Sequence, residues 1–577
     1  MKLNNKIRLV LLLGTALFSS CSKYLEPDAD NQLSPEQVWK DPDFAEGVLN
    51  YVYNKFPKSY DYLGDDILDC ATDNAVSSQV GSEVRNMSLG GWNADLNPIN
   101  TWNDSYQAIR NINEFLEYGL NEKYFDSTQY TNTIEFTYFD DLETDSLYQC
   151  RMYGEASFLR AFFNFQLLKN HAGKDENGAV LGVPIIDTSR PYSVHLPRNT
   201  YAECVDYILN DLDSAKKYLT SDYDSPSFAI NNVGKANLNS AFALASKVAL
   251  YAASPAFYDR TGGNTQSENW LRTAILSQEF IDKVGSLPAW DPDMFWWQNK
   301  GKPILTTSSS TNDFEKKNYP PSLNGKGFTN PTQNLVDAFP MENGYPITSE
   351  LSNYDAENPY EGRDPRFYTM IIYNNAVFRG DSIETFVGGK DTEENYSYYT
   401  KTGYYLKKFV NPNISLTPGS ESTDRHYYAL FREVEAYLNY AEAANELVGP
   451  NAVPPNCKIT AFEALKKVRE RATLSDHAYL TEVASQGRDA FRELIHNERR
   501  IELAFESHRF YDLRRWEYNL DVINTAAQGI EITKGETKYS YQVIDVEERL
   551  YMDYMMYGPI PYDEIMKSNN IVQNKGW

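Results

Sequence analysis

The stretch Met152–Leu167 reads as a helix that cannot stand alone in water. Met152, Ala156, Leu159, Phe163 and Leu167 recur at helical spacing, and Phe158, Phe162 and Phe165 widen the apolar stripe. A helix apolar over so much of its circumference needs partners on more than one face. The chain supplies them. In TYAECVDYILNDLDSAKKYL, Thr200 and Glu203 have capping-box spacing, and Val205, Ile208, Leu209, Leu212 and Leu219 make one face. Lys216 and Lys217 complement the negative end of that helix. Leu238–Ala253 is rich in alanine, which permits close helix approach, and Ser254-Pro255 ends it. Val434–Val448 repeats the style with Ala441 and Ala444 and stops at Gly449-Pro450; Ala461–Ala472 and Phe491–Phe505 follow.

These helices come in pairs with small residues inside their apolar faces. The pattern is similar to tetratricopeptide-type helix-turn-helix packing, though the repeats are degenerate. A long insertion splits them, from about 254 to about 426, rich in Gly, Pro, Asn, Ser and Tyr. PPSLNGKGFTNP is its most loop-like piece. Long loops inside a folded protein usually carry function. The expected class is mostly α, with a helical scaffold holding a large irregular face.

Acidic residues outnumber basic ones 80 to 54, a net charge of −26. Such a surface repels phosphate backbones, so nucleic acid is not the expected ligand. Disorder is not expected either, because 42% of the residues are apolar and 14% aromatic. Tyrosine stands out, with 43 residues. Its flat apolar face and polar tip suit helix interfaces and also surfaces that meet polar ligands.

Residues 1–20 read as a targeting segment. Lys2, Lys6 and Arg8 give a positive start, Leu9–Phe18 a short apolar run, and Ser19-Ser20 small residues. Ten apolar residues are too few for a spanning helix, which needs about twenty. Leu17-Phe18-Ser19-Ser20-Cys21 resembles a bacterial lipobox, in which the cysteine becomes the lipid-bearing first residue. The alternative is an ordinary secretory leader with an incidental cysteine, for which Phe18 at −3 is a poor fit. Lys23–Leu33 reads as a tether, and Ser34-Pro35-Glu36-Gln37 as a helix start. Residues 21–34 are thus a lipidated tether. Residues 35–577 form one unit made of 35–253, the insertion 254–426, and 427–577. Cys70, Cys150, Cys204 and Cys457 show no metal-ligand spacing; export would permit disulfides, and buried free thiols fit equally well.

Catalytic patterns are absent. HNERR at His496 lacks the glutamate that a zinc-protease helix places directly after its first histidine. Gly234-Lys235 has Ala229 where a phosphate loop needs glycine, and there is no GxSxG. With 80 acidic residues, neighbours such as Asp65-Asp66 and Asp140-Asp141 arise by chance. Glu498 and Glu502 share a helix face with Phe491, Ile495 and Phe505. Carboxylates on an apolar stripe need partners, so a buried ion-pair network is expected, with Arg499, Arg500, Arg509, Arg514 and Arg515 near in sequence.

IHNERRIELAFESHRFYDLRRW, Ile495–Trp516, resembles the signature helix of the SusD/RagB family. Ser507 stands where that pattern has Gly, which puts the local backbone in question rather than membership. EVEAYLNYAEAANEL resembles the family's preceding helix, and YGPIPYDEIMKSNNIVQNKGW its C-terminus. WNDSYQAIRNIN, FLRAFFNFQLLKNHAG, GVPIID, ALYAASPAF and NPTQNLVDAFPMENGYPI fit in order, so the resemblance spans nearly the whole mature chain.

The resemblance implies a SusD-like fold, with about four tetratricopeptide-like helix pairs carrying a loop-rich ligand face. It implies a non-catalytic, cofactor-free lipoprotein of the outer membrane of Bacteroidota, facing outward and anchored through acylated Cys21. Its implied partners are an oligosaccharide and a SusC-like TonB-dependent transporter that receives it. RagB-like peptide capture is the alternative reading, and a secreted glycoside hydrolase the third. Family sites come from the segment before the Trp102 helix and from the insertion. In the first, Trp92 follows Gly90-Gly91 and is the expected stacking platform, with Asn93, Asp73 and Arg85 as hydroxyl partners. In the insertion, Trp290, Trp296 and Tyr319 are the candidates; Trp297, adjacent to Trp296, would face the other way on a strand. Trp102 and Trp516 belong to helical motifs and are expected in the core.

Overall fold

A computed structural model describes residues 38–39, 41–120, 138–189, 196–220, 234–258, 265–291, 305–392, 396 and 398–577. Cys21, the tether, the Ser34-Pro35 helix start, Trp296 and Trp297 lie outside the described residues. Among the described residues six long helices open the scaffold: α1 Pro42–Tyr53, α2 Trp102–Tyr118, α3 Leu142–His171, α4 Tyr201–Tyr218, α5 Leu238–Ala253 and α6 Gln266–Val284. Five more close it: α7 Val434–Val448, α8 Ala461–Arg471, α9 Ala478–Gln486, α10 Arg488–Glu502 and α11 His508–Arg515. From α1 to α8 each helix packs on the next, and α10 packs on α7 and α9. The aromatic stripe of α3 is buried as its pattern demands, and the helix lies against α2 and α4.

The same capping chemistry starts α4, α6 and α8. Thr200, Thr265 and Thr460 each accept from the backbone N–H three residues on, while Glu203, Glu268 and Glu463 accept from the threonine N–H. Each such cap contributes about 1 kcal/mol. Helix α6 departs from the sequence reading, which placed 254–426 in an irregular insertion. It buries Trp270, Ala274, Phe280 and Ile281 and packs between α5 and α7, so the scaffold resumes at Gln266.

Glu498 and Glu502 do sit in a buried ionic network. Glu498 pairs with Arg366 at 2.7 Å and Arg469 at 3.0 Å. Glu502 meets Arg366 at 3.1 Å, Arg432 at 3.1 Å and Arg471 at 2.7 Å. Arg432 and Lys408 also hold Glu506, each at 2.7 Å. These cations come from the insertion, from Arg432 just before α7, and from α8, not from the arginines near in sequence. Arg499 instead pairs with Asp512, Arg500 and Arg509 with Asp73, and Arg515 with Asp512 and Glu442. Arg514 lies over the Phe510 ring, 3.5 Å from its centroid. His496 stacks on Trp516 at 3.5 Å, with Nδ1 2.8 Å from the Tyr518 hydroxyl, a structural role.

The signature segment is two helices, not one. Between α10 and α11 the helix is broken, with Phe505 at φ 66° and Ser507 at φ 63°. Both are left-handed, a conformation that costs a non-glycine residue about 1 kcal/mol. The buried Asp69 carboxylate holds the turn, accepting from the Phe505 N–H at 2.9 Å and the Ser507 N–H at 3.0 Å. That clamp explains how serine occupies a glycine conformation.

The irregular part carries small antiparallel sheets. β1 Ala75–Ser77 pairs with β3 Thr329–Pro331, and β2 Leu305–Thr311 with β4 Asp424–Phe431. β5 Ala527–Lys534 forms a hairpin with β6 Tyr539–Glu547. Cys70, Cys150, Cys204 and Cys457 are free thiols.

Candidate ligand-binding face

The structure joins the two segments from which a ligand site is expected, but most of the individual residues named for it are used elsewhere. Trp92 is 2% exposed. Gly90, at φ 88°, turns the chain, and a Cβ on Gly91 would lie 2.5 Å from the Asn86 side chain. The turn therefore swings the indole inward. Its Nε1 donates to Asn97 Oδ1 at 3.0 Å, and its ring meets Phe510 at 5.8 Å and Trp577 at 5.1 Å edge-on. A ring enclosed on these sides cannot stack on a sugar, so the glycine pair marks a turn into the core.

Asp73 is a buried ion-pair partner. It accepts from Arg509 through both oxygens at 2.9 Å and lies 3.0 Å from Arg500. Burial alone would raise its pKa, but Arg500 and Arg509 hold it well below the usual carboxylate range. Tyr319 is 1% exposed and its hydroxyl donates to the Asn411 carbonyl at 2.5 Å. Asn93 is exposed, yet its side chain closes its own loop, accepting from the Asp95 and Leu96 N–H groups and donating to the Gly91 carbonyl. Arg85 is ion-paired with Glu547. Trp290 is half-buried beneath the Arg471 guanidinium, 5.1 Å from ring centroid to carbon. Trp102 and Trp516 are in the core as expected.

What the β1–β3 pairing brings to the surface is different. Beyond the paired residues, Ser78 donates through N–H to Phe328 O at 2.9 Å and through Oγ to Gly327 O at 2.9 Å. Phe328 packs edge-on against Tyr398 at 5.7 Å, and Lys326 lies over Phe328 at 5.3 Å. Lys401 places its ammonium 3.9 Å from the Tyr399 centroid while its N–H donates to Asn330 Oδ1 at 2.9 Å. Tyr396 and Tyr398 are each 38% exposed, and Lys326, Lys401 and Val80 also face solvent. These contacts draw together Ser78, 326–330 and 398–401, with the exposed Val80 and Tyr396 next to them in sequence. Exposed phenol rings offer flat apolar surface to C–H faces, and the phenol and ammonium groups offer hydrogen bonds at the rim. The YSYY run, 396–399, is the sequence signal for this face, a cluster of phenols without a tryptophan.

The fold has close relatives in shape. The model of the SusD family matches residues 295–577, and that of the family described as starch-binding and associating with the outer membrane matches 23–250. The chain belongs to the SusD family. A SusD-like protein of Formosa agariphila is 24% identical over 556 residues, covering 91% of this chain and 92% of that one. A SusD-like protein structure from Bacteroides fragilis is 25% identical, with TM-score 0.70 over 94% of this chain and 98% of that chain. A SusD-like carbohydrate-binding protein from the same organism superposes with TM-score 0.69 at 20% identity, over 92% and 99% of the two chains. The mostly α, paired-helix expectation for a SusD-family chain therefore holds. No helix among the described residues is long and apolar enough to cross a membrane.

Proposed function

We propose that this SusD-family protein is a non-catalytic glycan-binding lipoprotein of the outer cell surface. It captures oligosaccharide and passes it to a TonB-dependent transporter of the SusC type. The observation that carries the reading is the exposed Tyr396–Tyr398 face beside Lys326 and Lys401, in a chain whose family and structural relatives are described as binding starch or carbohydrate. The engagement of Glu498 and Glu502 by four buried arginines supports binding over glycoside hydrolysis, since those carboxylates are committed to structure.

Affinity electrophoresis in gels cast with individual polysaccharides tests this. Retarded migration without release of product is the expected result, and Tyr398→Ala should lower affinity for the retarding glycan by about 1 kcal/mol. Product release, or retention by peptides and by no glycan, would overturn the reading.

Anchoring through lipid on Cys21 belongs to the same proposal, because several acyl chains give stable attachment where one is marginal. Cys21→Ala should move the protein out of the membrane fraction while leaving retardation intact. A variant that stays membrane-bound with normal processing would sink the anchor.

A further inference from the structure

A cavity of about 360 Å³ opens between α3, α5, β4 and the start of α11. None of its walls comes from 326–330 or 396–401, so it is distinct in composition from the tyrosine face. Its size suits a small ligand. Phe163, Tyr62, Tyr428 and Tyr511 supply apolar walls, and Ser507 and Gln166 add polar groups.

The charges in this cavity do not balance. Lys55 is paired with Asp104 at 2.8 Å, Lys247 with Glu435 at 3.1 Å, and Glu506 with Lys408 and Arg432 at 2.7 Å. The remaining cation is Lys169, in the last turn of α3. Its ammonium lies over the Tyr511 ring, 4.3 Å from the centroid, and among the described residues no carboxylate or hydrogen-bond acceptor engages it. Burial and the nearby Lys247 push its pKa down to about 7, the direction expected of a cation held without a counter-ion. His508 on the same wall is driven well below its ordinary value by burial and by Lys247, Arg499, Lys169 and Arg432, so it is neutral and adds no second positive charge. Lys169 is itself half-buried, and an ammonium in such a half-enclosed site without a counter-ion is stabilised when an anion joins it. In a chain of net charge −26 carboxylates are abundant, yet the two that line the cavity, Asp104 and Glu506, are paired with other cations and none engages Lys169 among the described residues.

We propose that this cavity binds a small solute through an oxyanion group, a carboxylate or sulfate, with Lys169 as its counter-ion and the aromatic walls around its body. The shape and lining fit an acidic sugar; a free inorganic oxyanion shares the same recognition chemistry. The site does not depend on the tyrosine face, so this inference and the proposed function can fail separately.

Calorimetric titration of the full chain in detergent, at constant ionic strength, with D-glucuronate, D-glucose and sodium sulfate tests it. Glucuronate should bind at least about tenfold more tightly than glucose, and Lys169→Met should lower that affinity by about tenfold or more. The variant should melt at the same temperature or higher, because it removes an uncompensated charge. Glucuronate binding more tightly than sulfate identifies a sugar acid, and equal binding identifies a free oxyanion. In the unmodified protein, saturating glucuronate or sulfate should protect Lys169 from acetylation, read by peptide mass spectrometry; this needs no variant. No saturable binding of either anion, equal binding of glucose, unchanged affinity in Lys169→Met, or no protection would each overturn the proposal.

Discussion

Glu502→Gln should lower folding stability by about 3–5 kcal/mol at neutral pH, the range for removing one partner of a buried charge group. Glu502 is fully buried and meets Arg471 at 2.7 Å and Arg366 and Arg432 at 3.1 Å. A neutral amide of the same shape leaves the packing intact and strands those guanidinium groups. Neighbouring acids cannot compensate fully: Asp364 and Glu498 already hold Arg366, and Glu506 already holds Arg432. The pH dependence has a definite sign. Burial alone would raise the Glu502 pKa, but Arg471, Arg432, Arg366 and Lys408 bring it down to about 2 from 4.5. A depressed carboxylate stabilises the fold fully above its unfolded value and loses that contribution as pH falls through the folded one. The loss therefore runs from about pH 4.5 to about pH 2 and amounts to about 3 kcal/mol. Urea denaturation of both proteins at pH 7 and pH 3, followed by circular dichroism, measures it. A difference below about 1 kcal/mol at pH 7 would contradict the network's role.

Trp92→Ala should also cost about 3–5 kcal/mol of stability, as for large aromatic truncations in cores. It would empty the space between Phe510 and Trp577 and remove a ring over which the Arg514 guanidinium lies, 5.6 Å from the centroid. Asn97 Oδ1 would lose the indole donor and keep the Ile99 N–H. Below the unfolding transition the folded variant should be retarded by the same glycans as the parent. Unchanged stability combined with lost retardation would mean instead that the indole meets ligand.

The helices were legible because their signals are local. Periodic apolar positions and threonine–glutamate caps identify α4 and α8 without any tertiary information. Helix α6 carried the same signals, Thr265 with Glu268 and Trp270, Ala274 and Ile281 on one face, but sat amid loop-like composition that masked it. The ionic network was legible in part. Glu498 and Glu502 announce a need for partners by lying on an apolar stripe, whereas which arginines answer depends on how the chain 366–471 folds back. At the proposed face the family resemblance names segments and not residues. Whether Trp92 or Tyr398 faces solvent is decided by a turn at Gly90 and by strand pairing, both tertiary outcomes. Ser507 was readable as an anomaly, but its support from Asp69, far away in sequence, was not.

The pairing of β1 with β3 also bears on the order of events in folding. Ser78 and Gly327, at the edge of that ladder, are 249 positions apart. Closing a loop of that length costs about 5 kcal/mol in chain entropy, before any constant term. Three paired residues cannot offset this alone. The ladder therefore forms after the intervening helices have shortened the effective loop, and the tyrosine face is among the last surfaces to assemble. Hydrogen exchange should find the β1–β3 amides opening more readily than those of α3.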